Sequence, residues 1–331
     1  MKEHLVWLYR QLTRFQRQRA LKAMQHAGQF PVGILFYHRV ADTHPNAWTL
    51  SCRDFARQLD WLQSHFEIVD LAEAQRRLQE GVCKQPTVCL TFDDGYAENA
   101  DFAIGELVRR ELPATYFVST EFVRTGKSFP HDLQAGTALA PNSIAQLREF
   151  SAQGIEIAAH TRTHPDLGKV FDAKCIEAEI YGSVCDLQDW LGRPVRYFAF
   201  PFGQTQNFTQ TAIDAVSRAG LAGFCSAYGD WNWPGENSFH LRRIHADPGL
   251  ERLKNWLTYD PRKLRQRVTF PFSDSPEPTP VPSPQTTPVL ASVSNCAVAP
   301  VRGADRESGL HGGLPLPAME TLHTHYMPTA N

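Results

Sequence analysis

The 331-residue sequence predicts an α/β fold organised around a parallel sheet, either open or closed into a barrel. Three observations carry that expectation. Short β-branched and apolar runs recur between residues 30 and 269, helical stretches separate most of them, and polar loop residues follow each run directly. Repeated βα units pair their strands in parallel. Enzymes on parallel sheets collect their chemistry at the C-terminal ends of the strands.

Residues 1–29 precede this domain. Leu5, Leu8, Leu12 and Phe15 recur at helical spacing, so residues 1–28 read as one amphipathic helix stopped by Gly28. Lys2, Arg10, Arg14, Arg17, Arg19 and Lys22 oppose only Glu3. Two expectations follow from that pattern. The helix packs on the domain with a charged face in solvent, or it lies on a membrane surface or partner with Trp7, Tyr9 and Phe15 at the interface.

The domain proper spans residues 30–269. Val32–Tyr37 is the first expected strand, and Arg53–Phe66 is helical. Thr87–Thr91 follows as a strand, then a helix over Asn99–Glu111 closed by Pro113, then a strand at Ala114–Val118. Residues 121–143 look structureless, and a connection of that length in a compact domain is usually functional. Further strands are expected at Ile155–Ala159, Arg196–Phe200 and Gly223–Ala227. From residue 270 to 331 the composition changes: Pro276, Pro278, Pro280, Pro282, Pro284 and Pro288 alternate with Ser, Thr, Glu and Val. Such a segment cannot bury enough apolar surface to offset its ordering entropy, and disorder is the expectation.

Lys and Arg number 33 against 35 Asp and Glu, a formal charge of −2, so the chain has no polyanion-binding signature and nucleic acid is not an expected partner. Its seven cysteines are scattered and form no CxxC pair, which argues for reduced thiols and against a Cys-ligated metal. No apolar run approaches the roughly 20 residues of a membrane span, and the start of the chain lacks a signal peptide's layout. The cytoplasm is therefore the default expectation.

Two motifs carry the chemistry. Thr91-Phe92-Asp93-Asp94-Gly95-Tyr96 places adjacent carboxylates where a strand ends, and such neighbours repel unless a cation joins them or one is neutral. His160-Thr161-Arg162-Thr163-His164-Pro165 follows the apolar run Ile155–Ala159. Two imidazoles four residues apart on one turn or helix start can chelate one ion. With one carboxylate they make a two-His, one-Asp set that leaves coordination positions open, as a catalytic metal requires.

These residues resemble the polysaccharide deacetylase family, also called the NodB-homology or family 4 carbohydrate esterases. Thr91–Tyr96 looks like its first signature and His160–Pro165 like its second. Pro113–Val118 is similar to its intervening strand, Phe198–Gly203 falls at its third motif, and Phe36-Tyr37-His38-Arg39-Val40 is similar to the domain's opening in a subset. The likeness spans about residues 30–250. It implies a distorted (β/α) barrel and hydrolytic removal of acetyl groups, usually N-acetyl from amino sugars. It also implies that Asp94, His160 and His164 bind a divalent metal, commonly zinc, that Asp93 is the general base, and that the Phe202 backbone N–H helps hold the oxyanion.

The sequence departs from the family pattern at the third motif, where Ala199 stands in place of the Arg that orients the base. Arg196 is the nearest candidate to replace it. Asp230-Trp231 is a candidate fourth motif, and His245 in Leu241–Asp247 is the candidate general acid. His38 ends the first strand within reach of the site. Tyr228, Trp231 and Trp233 are expected as a sugar-stacking wall, and Phe129–Asp132 as a border of the cleft. The favoured reading is a metal-dependent deacetylase of an amino-sugar polymer, oligomer or lipid-linked precursor. Its competitors are a metal-holding carbohydrate-binding pseudoenzyme and an amidohydrolase of a small C–N substrate.

Overall fold

The computed structural model describes residues 2–246, 249–265 and 267–273. Eight strand segments form the barrel: β1 (Val32–Tyr37), β2 (Thr87–Phe92), β3 (Thr115–Val118), β4 (Glu156–Ala159), β5 (Tyr197–Ala199), β6 (Gly223–Cys225), β7 (His240–Leu241) and β8 (Arg243–His245). They pair in parallel in the order β7-β6-β5-β4-β3-β2-β1-β8, and Glu67–Ile68 adds a short strand beside β2. The two ends of that path are consecutive pieces of one segment, residues 240–245. Its first half pairs with β6 and its second half with β1, so the sheet returns on itself as a nearly closed (β/α) barrel. The switch falls at Arg242, whose backbone N–H and carbonyl are both taken by the Asn232 side chain.

β1 and β2 are buried along their whole length, as strands with cover on both faces must be. Helices flank the barrel, and the sequence marks their starts. Ser51 and Asp70 cap helices Cys52–His65 and Leu71–Gln79 by accepting from the third residue on, and Ser143 with Gln146 forms a capping box for Ile144–Ala152.

Four expectations are corrected. The helix expected over 99–111 is a 3-10 turn at Ala97–Ala100 followed by Ala103–Arg109. Asn99 explains the break: its buried side chain donates to the His38 carbonyl and the Tyr116 hydroxyl and accepts from Val40 N–H. The 121–143 connection is not structureless, for it carries helices Thr120–Thr125 and Pro130–Gln134. The domain also runs past residue 269, because the Phe270 ring packs 4.2 Å from His240 and 5.2 Å from Phe208. The proline-rich remainder of the expected tail lies outside the described residues.

The fourth correction concerns the first 28 residues. They form two nearly continuous helices, α1 (Lys2–Leu12) and α2 (Arg14–Ala27), joined at Thr13 and closed by Gly28 at φ 65°. The stripe Leu5, Leu8, Leu12 and Phe15 faces solvent, and polar residues face the barrel instead. No helix among the described residues is long and apolar enough to cross a membrane.

Candidate functional site

The C-terminal ends of β1, β2, β4, β5 and β8 converge on one cluster. Asp93 directly follows β2 and is anchored by its N–H donating to the Tyr37 carbonyl. Asp94 (φ 73°) and Gly95 (φ 93°) then turn the chain through two left-handed residues. A Cβ on Gly95 would sit 2.5 Å from the Val118 methyl, so the turn demands glycine twice over.

His160 follows β4, its N–H bound to the Val118 carbonyl. Left-handed Thr161 and His164 curl the next residues back, with His164 N–H donating to Thr161 Oγ1. This loop is no helix, yet it brings both imidazoles to Asp94. His160 Nε2 lies 3.5 Å and His164 Nε2 3.2 Å from Asp94 Oδ1, and the three ligand atoms fall within 4.8 Å of one another. Asp94 and His160 are buried and His164 partly so.

The donor chemistry fits a divalent cation. Asp94 Oδ1 is buried and accepts no hydrogen bond, which is costly for a carboxylate oxygen without a positive partner. His160 Nδ1 lies 2.7 Å from the Ala199 carbonyl, which fixes the proton on Nδ1 and turns the Nε2 lone pair to the cluster. Burial raises the Asp94 carboxyl, but His160 and His164 beside it overcome that and hold it well below the usual carboxylate range.

Asp93 is occupied differently. Arg243 donates to both its oxygens, at 2.6 and 2.8 Å. Arg243 is fully buried inside the barrel, bound also to the Ser226 carbonyl and Thr91 Oγ1, with its guanidinium 4.8 Å from the Phe36 ring. Burial pushes the Asp93 carboxyl up; the charge of Arg243 outweighs it and holds the group below its ordinary value. Arg243, which grips Asp93, is the residue of this cluster that sequence reasoning missed. Arg196, the nearer candidate, pairs instead with Glu156 at 2.8 Å. The available signal was alternation, since Arg243 and His245 share one face of a strand whose other face carries Ile244.

His245 closes β8 opposite Phe36, its ring 4.9 Å from Phe36 and 6.1 Å from His38. Burial pushes the His38 imidazole down to about 4, against the opposing pull of Asp94 and Asp93. Phe202 is left-handed (φ 62°) and 54% exposed, its ring 5.2 Å from His164. Its backbone N–H has no partner among the described residues.

The expected sugar wall is corrected. Trp231 is buried against Tyr259 and crowds Gly33, and the adjoining Asn232 pairs with Val32 at the N-terminal end of β1. It therefore lies at the end of the barrel opposite the carboxylates, with Asp230 and Trp233 beside it in sequence. Tyr228 turns its hydroxyl to His240 (3.2 Å) and its ring toward Phe270. The aromatic surroundings of the cluster come from elsewhere. Phe129 and His131 lie 5.8 and 6.1 Å from His164, and Trp48 stands edge-on to His131.

Comparison with known proteins agrees with this fold. The model of the polysaccharide deacetylase family matches residues 81–224. A putative polysaccharide deacetylase of Bacillus subtilis, YxkH, is 23% identical over 224 residues, covering 66% of this chain and 72% of that protein. A chitooligosaccharide deacetylase of Bradyrhizobium is 29% identical over 186 residues, 54% of this chain and 68% of that one. Among solved structures, the Streptococcus pyogenes deacetylase PplD in complex with acetate superposes with a TM-score of 0.60 at 21% identity, covering 70% of this chain and 99% of that chain.

Proposed function

The chain belongs to the polysaccharide deacetylase family, and on that premise we propose that it is a metal-dependent hydrolase removing N-acetyl groups from an amino-sugar polymer, oligomer or lipid-linked precursor. The observation that carries the proposal is the division of labour between neighbours: Asp94 faces two imidazoles while Asp93 is gripped by Arg243.

Asp94, His160 and His164 hold the cation, and zinc suits their nitrogen and oxygen donors. When bound, it supplies a Lewis acid that polarises the acyl oxygen and makes water more acidic. Asp93, kept ionised by Arg243, accepts the proton of the attacking water. Because Arg243 engages both carboxylate oxygens, it fixes the orientation in which Asp93 receives that proton. The unpartnered N–H of Phe202 donates to the developing oxyanion. His245 delivers a proton to the leaving amine from the mouth of the barrel. His38, neutral at working pH, hydrogen-bonds the substrate beside it, and the exposed Phe202 ring offers a face to a pyranose.

The replacement of the third-motif Arg by Ala199 motivates the binding-only reading. Arg243 supplies a guanidinium to Asp93 from another strand, which answers that departure; the open assignment of the general acid is the second motive. The test is acetate release from N-acetylglucosamine oligomers, before and after chelation and after zinc is restored. Release that disappears with the metal and returns with it supports the hydrolase. A protein that holds metal and binds the oligomers without releasing acetate would instead be the binding module.

A further inference from the structure

The helix pair α1–α2 is fastened to the barrel by its polar side. Tyr9 donates to Asp260 at 2.5 Å, Arg10 pairs with Glu251, and Arg17 reaches Asp260, Asn255 and Thr258 at 3.0, 2.7 and 2.8 Å. Among residues of α2, only Arg17 and Met24 are buried. Met24, Leu21 and Ala20 pack on the core, but the apolar residues of the first half point the other way. Leu5, Leu8, Leu12 and Phe15 step along one stripe at i+3 and i+4, and Leu12 and Phe15 are 75% and 79% exposed. With Trp7 they make five of the nine exposed large hydrophobics among the described residues, so this exposure is a concentrated patch and no ordinary surface scatter. A helix serving only the core would be oriented the opposite way.

The same stripe continues, again at i+4 and i+3, as Arg19 and Lys22, while Arg14 lies on the flank of the helix with Arg10 and Gln18. Arg14, Arg19 and Lys22 are exposed and form no ion pair among the described residues. Glu3 is the one acid in the first 28 residues, and it sits against Gly249. An apolar stripe running into unpaired cations is complementary to a surface with an apolar interior and an anionic face. From Leu5 to Phe15 the apolar stripe is about 15 Å long and roughly 10 Å wide. That is far below the roughly 800 Å² per partner of a stable protein interface, so a second copy of the chain is the poorer occupant.

We propose that α1–α2 docks the protein on anionic phospholipid, with Leu5, Trp7, Leu8, Leu12 and Phe15 inserted at the acyl boundary and Arg14, Arg19 and Lys22 against the headgroups. Gly249 lies just beyond the C-terminal end of β8, and Gly28 pairs with Cys83 ahead of β2. The inserted end of the helix therefore lies at the catalytic end of the barrel. The proposal stands apart from the chemistry assigned to the site.

The test is sedimentation of the full chain with vesicles of phosphatidylcholine, with and without phosphatidylglycerol. The expected result is binding to the anionic vesicles that weakens with salt. Leu8→Ser/Leu12→Ser/Phe15→Ser and Arg14→Gln/Arg19→Gln/Lys22→Gln are each expected to weaken it on the order of a hundredfold. Both variants should keep the wild-type melting temperature and wild-type turnover of a soluble oligomer. Absence of binding to anionic vesicles overturns the proposal, as does binding that neither variant changes. Light scattering that finds a dimer dissolved by the serine variant, with no vesicle binding, overturns it in favour of a protein partner.

Discussion

Replacing Arg243 with methionine keeps most of the side chain's length inside the barrel but removes the guanidinium that holds Asp93. Both partners are out of solvent, with side-chain exposures of 0% and 5%, so screening by water offers little relief. Two charge-assisted hydrogen bonds are lost, each worth about 1.5–3 kcal/mol, and an unpaired carboxylate is left buried, for which about 3–5 kcal/mol is the usual total. Asp93 can escape that cost by taking a proton. In the wild type its carboxyl is held below the ordinary value, so its contribution to stability is present above the ordinary carboxylate pKa and fades as pH falls through the depressed one. The Arg243→Met penalty should therefore be largest near neutral pH and shrink toward acid, where the variant's Asp93 is protonated. The acidic limb of its pH–rate profile should move upward in pH for the same reason. Denaturant unfolding of wild type, Arg243→Met, Asp93→Asn and the double variant gives the coupling directly, expected at about 2 kcal/mol or more. Additivity within about 0.5 kcal/mol, or an unmoved acidic limb, would refute the argument that Arg243 positions and ionises Asp93.

Other outcomes follow from the same geometry. His160→Ala and His164→Ala should each lower metal content and turnover together, measured by elemental analysis beside acetate release; full occupancy in either would remove that residue from the ligand set. Chelation should lower the melting temperature of the wild type and added zinc should restore it, because the metal binds the native state, whereas His160→Ala should show neither shift. Gly95→Ala should be poorly folded or lose several kcal/mol, since its Cβ meets Val118 at 2.5 Å and the backbone is left-handed there; a melting temperature within a few degrees of wild type would contradict the turn geometry. Phe270→Ala should destabilise by about 1–2 kcal/mol, as a half-buried ring packed on Phe208 and His240, and a neutral result would return the domain boundary to residue 269.

Strand and motif were legible because their signals are local. The β-branched run Thr87–Thr91 and the acids after it share one short stretch of chain, and so do Ile155–Ala159 and the two histidines. Parallel pairing then carries the ends of β2 and β4 to one end of the barrel without further information. Arg243 was hidden because its partner is 150 residues away, and only barrel closure through residues 240–245 brings the two together. The aromatic wall failed for the complementary reason: Trp231 and Trp233 share a sequence neighbourhood with β6, but Asn232 ties them to the N-terminal end of β1. In α1 and α2 the helical period was plain, yet period alone does not say which face meets the barrel. Asp260, Glu251 and Thr258, all more than 200 residues distant, attract the polar side.

The most direct test of the account is to measure metal content and acetate release in Asp93→Asn and Asp94→Asn side by side. The two residues are adjacent, equally buried and chemically identical, and only their assigned roles separate them. Asp93→Asn should retain its metal and lose release, while Asp94→Asn should lose both. Metal lost from Asp93→Asn, or release surviving in it, would contradict the account.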